Sequence, residues 1–344
     1  MKFTFIPLLF LFFLSSPLFA QYDAVERVKL QMVEAGDAFM QQLTAEQQQK
    51  LSLAYGSPER LDWNNLPTHS YSRKGLPLGE LNKAQKMALH RLLQTGLSDQ
   101  GYLKAQLIIQ QDQQHRMDVF EEEGFETDKT MYGHDYYYIT FYGKPDSEQP
   151  WSWRFEGHHL SLHFALSPQE ISVTPMFFGV DPRELTEGPY AGYSFMREES
   201  DIAHRLIKSF NAEQEKKARL EGQMPDDVLT LTGTEAHTTD TYGLSAAQMD
   251  QAQKEDLVRL IRAWVYNLDY ALARQEMDKI EAAGIDKIHF AWAGSKEKRE
   301  AKYYRIQGPN NIIEYDNRSY EPWHIHSLWR KVEEDYGQKM SSRQ

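Results

Sequence analysis

The sequence predicts an α+β fold: a mostly antiparallel sheet flanked by helices, in a single large domain. Three observations carry that reading. Blocks with helical spacing alternate with aromatic, β-branched runs, and those runs are separated by short Gly, Pro and Ser turns, as in a meander. No Pro/Gly/Ser-rich linker divides the chain. The 344 residues, 41% of them hydrophobic, suffice for one large domain or two ordinary ones, so the missing linker decides for one, spanning 21–344.

The elements follow in order. Met1-Lys2, the apolar run Phe3 to Leu14 and Ser15-Ser16-Pro17-Leu18-Phe19-Ala20 have the basic, hydrophobic and small-ended layout of a signal peptide over 1–20. Cleavage after Ala20 predicts a periplasmic or extracellular protein beginning at Gln21; an uncleaved anchor is the alternative, although the run is short for a membrane span. Val25, Val28, Met32, Val33, Phe39, Met40 and Leu43 predict one amphipathic helix. Ala88, Leu89, Leu92 and Leu93 predict a second, closed by Gly96, and a third runs from about Tyr102 to Phe120. Four aromatic runs, Tyr136–Tyr142, Trp151–Phe155, His159–Leu166 and Ile171–Phe177, predict the meander, with Trp151 and Trp153 read as core. Helix returns over Arg197–Leu220 and from Ser245 towards Ala283, and the Thr-rich stretch Glu221–Gly243 reads as a surface excursion. Strands resume at Lys287–Ala293, Lys302–Ile306 and Asn311–Tyr315, the last two a hairpin across Gly308-Pro309-Asn310, and Trp323–Trp329 is placed beside them.

Four tetrads put a short polar residue three positions before Gln: Thr44/Gln47, Asn82/Gln85, Asn211/Gln214 and Ser245/Gln248. This is the capping-box spacing, in which cap and Gln side chains each bond the other's backbone N–H. Three of them read as helix starts, Asn211 as interior to a longer helix, and the set as helix starts rather than an internal repeat.

Composition removes several function classes. With 38 Lys+Arg against 50 Asp+Glu the formal charge is −12, which argues against a general nucleic-acid binder. The absence of cysteine excludes disulfides, zinc fingers, iron–sulfur clusters, thiol catalysis and an N-terminal lipidated Cys. No G-x-S-x-G elbow, H-E-x-x-H helix, P-loop or G-x-G-x-x-G fingerprint occurs, so no nucleotide cofactor is expected.

What remains is histidine, in two clusters on expected strands: Glu156-Gly157-His158-His159-Leu160-Ser161-Leu162-His163 and His324-Ile325-His326. Residues two apart share a strand face, so His324 and His326 project together about 6.6 Å apart, which suits two ligands of one metal. On the same rule His158 and His159 point to opposite faces, and only one of them joins a given site, with Glu156 on the face of His158 and Glu314 on a neighbouring strand. The favoured reading is a metal-assisted hydrolase with His324, His326 and His158 or His159 as ligands, Glu156 as general base and Arg330 as binder of a substrate anion. A set of imidazole and carboxylate ligands without thiolate favours zinc, then copper, iron or manganese. The alternatives are a non-enzymatic metal- or small-ligand-binding envelope protein, and a structural protein whose histidines only satisfy loops.

Trp151-Ser152-Trp153-Arg154-Phe155-Glu156-Gly157-His158-His159-Leu160-Ser161, then Thr174–Gly179 and Gly188-Pro189-Tyr190-Ala191-Gly192, resemble the central signature of the domain-of-unknown-function family DUF3500. Phe290–Gly294, Tyr303–Pro309, Ile313–Asp316 and His324–Arg330 are similar to its later blocks in the same order; at the end Tyr336 stands where Phe is expected. The resemblance spans about Val28 to Gly337. It implies one long domain and no transferable activity.

Overall fold

The computed structural model describes residues 17–123, 132–185, 191–232, 241–298, 300–317 and 324–341. Most of the expected signal peptide, residues 1–16, lies outside them. The first half builds α1 (Pro17–Gln41), α2 (Ala45–Leu51), β1 (Ser52–Leu53), β2 (Leu76–Pro77), α3 (Lys83–Gly96) and α4 (Asp99–Glu123). The meander β3 (Tyr138–Tyr142), β4 (Trp151–Gly157), β5 (Leu160–Leu166), β6 (Ile171–Ser172) and β7 (Met176–Val180) follows. The second half builds α5 (Arg197–Ser209), α6 (Ala212–Ala218), β8 (Leu244–Ser245), α7 (Gln251–Val265) and α8 (Tyr270–Ala283). It ends with β9 (His289–Gly294), β10 (Lys302–Gln307), β11 (Asn311–Asp316), β12 (Ile325–Lys331) and the short α9 (Gln338–Ser341).

Among the described residues all the strands belong to one open sheet in the order β1-β3-β4-β5-β7-β12-β11-β10-β9-β8, with β2 beside β3 and β6 beside β5. Every pairing is antiparallel except β1 with β3. The α+β expectation therefore holds, and the two meanders join where β7 pairs with β12, from Met176 opposite Trp329 to Val180 opposite Ile325.

The two halves repeat one another, which corrects the reading of the polar tetrads. Gln85 closes the capping box of α3 and its Nε2 donates to Gln42 O (3.0 Å) and Gln47 Oε1 (2.8 Å). Gln253 does the same for α7, donating to Ser209 O (3.0 Å) and Gln214 Oε1 (3.0 Å). Thr44 and Asn211 cap α2 and α6 with full boxes, so Phe210-Asn211 breaks the expected Arg197–Leu220 helix. Ser245 caps only a 3-10 turn; the start of α7 belongs to Asp250, four residues before Lys254. The long helix expected towards Ala283 breaks again before Asp269, which caps α8. The halves lock through reciprocal bonds, Ser98 N–H to Asn267 O (3.0 Å) and Asp269 N–H to Gly96 O (2.9 Å). Gly75 and Gly243 occupy matching places at positive φ (99° and 106°), where a side chain would run into the carbonyls of Ile139 and Phe290 on β3 and β9.

The sheet faces differ in chemistry. Phe155, Leu162, Phe178, Ile306, Tyr315 and Trp329 point into the main apolar core shared with the helices. Alternation sends Arg154, Glu156, His163, Glu314, His326 and Arg330 to the other face, where they are also buried. Two segments cover that face. Trp63 from one and Val228 from the other pack with Phe177, Leu328 and Tyr336 as a second, smaller cluster, and Trp63 Nε1 donates to Tyr336 Oη at 2.8 Å. The stretch read as a surface excursion is thus a strap: the N–H groups of Leu229 (3.0 Å) and Thr230 (2.9 Å) donate to the Glu314 carboxylate.

Gln85→Ala and Gln253→Ala each remove a buried amide that serves three backbone or side-chain partners. Each change is expected to cost about 1–3 kcal/mol. Urea unfolding should show both shifting the same single transition; a second transition in either variant would mean that the halves unfold independently.

Candidate metal centre

The β4–β5 hairpin turns through His158-His159, and His159 adopts a left-handed φ of 62°. Backbone bonds hold it there. His159 N–H donates to Asn65 O (3.1 Å), Gly179 N–H to His159 O (2.7 Å), and Tyr137 Oη to His158 O (2.7 Å). Gly179 is glycine for a local reason: a Cβ there would stand 2.9 Å from Cδ2 of the His159 ring. Since Gly179 on β7 pairs with His326 on β12, the sheet register delivers the second cluster to the same turn.

Three imidazoles converge as a result. His159 Nε2 lies 2.7 Å from His324 Nε2, which lies 3.0 Å from His326 Nε2. All three are buried, with candidate ligand atoms within 4.8 Å of one another. A neutral imidazole nitrogen either donates one hydrogen or accepts, so His324 Nε2 cannot satisfy both contacts by hydrogen bonding when both partners offer lone pairs. A cation between the rings takes all three lone pairs, and this group can hold a metal ion. Burial, followed by the neighbouring His158, His324, His326 and His115, pushes the His159 imidazole well below its usual range. Burial and then His326, His158 and His115 push His324 down to about 3. Both rings are therefore neutral at ordinary pH, the form that ligates.

The outer contacts orient these rings. Asp227 Oδ1 accepts from His326 Nδ1 at 2.8 Å, which turns the His326 Nε2 lone pair inward, the usual carboxylate–histidine arrangement behind a metal. Asp181 Oδ2 stands 3.7 Å from His324 Nδ1. His158 is a neighbour of the triad: its Nδ1 is 2.6 Å from Asp112 Oδ1, and its ring stacks on His159 with centroids 3.8 Å apart. The triad opens into a cavity of about 850 Å³ whose walls include Asn65, His69, His115, Tyr132, Asp226 and Leu231.

A family model described as a protein of unknown function, DUF3500, matches residues 26–338. The chain belongs to the DUF3500 family. No curated protein and no solved structure matches it.

In this DUF3500 chain His159, His324 and His326 meet, as the strand periodicity predicts for the last two. The opposite-face expectation for His158 and His159 fails because they form a turn, where alternation does not apply, and their rings stack instead. Glu156 does not line the cavity. Its carboxylate sits 2.7 Å from Arg154 Nε and 3.8 Å from Arg73 Nε, all three side chains being buried, so it is neutralised in place of serving as a base at the triad. Arg330 is likewise committed, donating to Asp335 Oδ2 (2.7 Å) and Thr230 O (2.8 Å), and offers no guanidinium to a ligand in the cavity. Glu314 holds the strap and accepts from the Tyr303 hydroxyl at 2.5 Å. Asp227, Asp181 and Asp112 escaped the sequence reading. Asp112 and His115 had one signal, their i,i+3 spacing on a single face of α4.

Asp227→Asn keeps the shape of the side chain and removes the charge behind His326. It should weaken metal affinity by about 10–100-fold, as loss of such outer carboxylates does. Competition against a chromophoric chelator measures it, and unchanged affinity would separate Asp227 from the centre.

Proposed function

We propose that this protein is a zinc-dependent, exported enzyme of the hydrolase class, with His159, His324 and His326 as the metal ligands. The observation that carries the reading is the convergence of three buried Nε2 atoms from the β4–β5 turn and from the start of β12, about 165 residues further on, with Asp227 behind one of them. Three protein ligands would leave the ion open to water, and zinc would supply the acidity that makes water a nucleophile near neutral pH. The adjoining cavity gives that position access to a small organic substrate. Zinc is favoured over copper, iron or manganese as an ion that takes three imidazoles in tetrahedral geometry. Glu156 and Arg330 are committed elsewhere, so His159, His324 and His326 would hold the ion, and the ion would supply the lowered pKa of a water in the cavity.

A non-enzymatic metal carrier would share the ligands without turnover, so substrate hydrolysis by the loaded protein separates the two. Purified under metal-replete conditions, the protein should hold about one equivalent of transition metal per chain. His324→Ala combined with His326→Ala should abolish it, whereas His289→Ala, on β9 and away from the triad, should not. Elemental analysis finding no metal, with thermal stability unchanged by chelation, would sink the proposal.

Export rests on the N-terminal pattern. Among the described side chains of α1 the first buried one is Val25, so cleavage after Ala20 removes none of the described core. No helix of the described residues is long and apolar enough to cross a membrane. N-terminal sequencing of the native protein should begin at Gln21; a protein that retains Lys2 in the membrane fraction would refute cleavage.

A further inference from the structure

The second half copies a buried device of the first and leaves out its acid. In β4 the chain reads Arg154-Phe155-Glu156-Gly157, and β10 with the residue after it reads Arg305-Ile306-Gln307-Gly308. The turns that follow are held alike, Gly179 N–H on His159 O and Val332 N–H on Asn310 O. The flanking strands match as well. Arg154 pairs with Thr140 on β3 and Arg305 with Ala291 on β9, and two residues further along those strands Tyr142 is matched by Ala293.

Arg154 is fully served. Its Nε stands 2.7 Å from the Glu156 carboxylate, and its Nη1 donates to the carbonyls of Glu59 (2.9 Å) and Asp62 (2.7 Å). Arg305 is only 5% exposed, yet among the described residues no carboxylate lies within ion-pair reach of it and its Nε has no hydrogen-bond partner. The neighbouring Gln307, at 2% exposure, has none at Oε1. Glu314 is across the strand pair from Arg305, but its oxygens accept from Leu229 N–H, Thr230 N–H and the Tyr303 hydroxyl. The Tyr242 ring faces the guanidinium with its centroid 5.4 Å away, which attracts the cation and leaves its N–H groups without an acceptor. Ala291 and Ala293 lack the bulk that Thr140 and Tyr142 supply beside Arg154.

Buried charges are kept only when paired, and here the chain has replaced the pairing acid by an amide of the same shape. We infer that Arg305 and Gln307 hold a small oxyanion, the carboxylate or phosphoryl group of a ligand. The guanidinium offers it parallel N–H groups, and the Gln307 amide, turned so that Nε2 faces the same place, adds a further donor. The site is distinct from the metal centre, since neither residue lines that cavity.

The full chain, stripped of metal by a chelator so that the triad takes no part, tests it by thermal unfolding in inorganic phosphate and, separately, in acetate, each against chloride at equal ionic strength. At least one oxyanion should raise the wild-type midpoint by about 2 °C or more and saturate as a single site does. A rise with phosphate alone names a phosphoryl ligand and a rise with acetate alone a carboxylate. Gln307→Glu, which rebuilds the pair of the first half, should melt above wild type in chloride and gain nothing from either oxyanion. Arg305→Met should also lose the gain; if it does not fold, Gln307→Glu decides alone. No rise in wild type, or the same rise in wild type and Gln307→Glu, overturns the inference, the second outcome meaning an effect of bulk salt or an adventitious ion only.

Discussion

The pairing of β7 with β12 is the constraint on which the rest depends. It joins two meanders into one sheet, and its register sets Gly179 across from His326. Because Gly179 N–H also bonds the carbonyl of His159, the same strand that receives β12 holds the β4–β5 turn. A one-residue slip would send His326 to the apolar face and bring Ile325 to the polar one, so core packing and ligand placement are specified together.

The polar face makes a second demand. Charged groups under a covering segment are tolerated only when paired or hydrogen-bonded, and Glu156, Arg330 and Glu314 each have such a partner. Glu156 lies between two arginines, Arg330 between Asp335 and a strap carbonyl, and Glu314 against strap N–H groups. His163 remains neutral, pushed well down by burial and then by Arg154, Arg330 and Arg60, with Ser161 Oγ 2.9 Å from its Nε2. The strap that satisfies Glu314 is the one that carries Asp227 to His326. Ion pairing across the sheet and orientation of the His326 ring are thus two results of one chain path.

What could be read from the amino acids was what has a period. The shared face of His324 and His326 follows from strand alternation, as do the aromatic meander and the amphipathic helices. Alternation stops at a turn, and so it misplaced His158 against His159 and lent Glu156 a part that its two arginines preclude. Asp227 lies in a polar stretch with no period, and its approach to His326 spans 99 residues, a distance no local pattern encodes. The repeat of the halves was visible only as polar tetrads, since its evidence is spatial: Gln47 meeting Gln85, and Gln214 meeting Gln253.

The duplicated architecture bears on the ligand turn. In the second half the β10–β11 turn ends in Asn310, whose carbonyl receives Val332 N–H at 3.0 Å, the counterpart of Gly179 N–H on His159. That turn is built with no imidazole on it, so the hydrogen-bond scaffold beneath His159 needs no ion to form. The left-handed backbone of His159 is then a cost of roughly 1–3 kcal/mol borne by the sheet. A centre prepared in this way pays little ordering entropy when an ion arrives and gives up little structure when it leaves. An ion held there would find its cage already standing and, by binding the folded chain alone, would raise its stability.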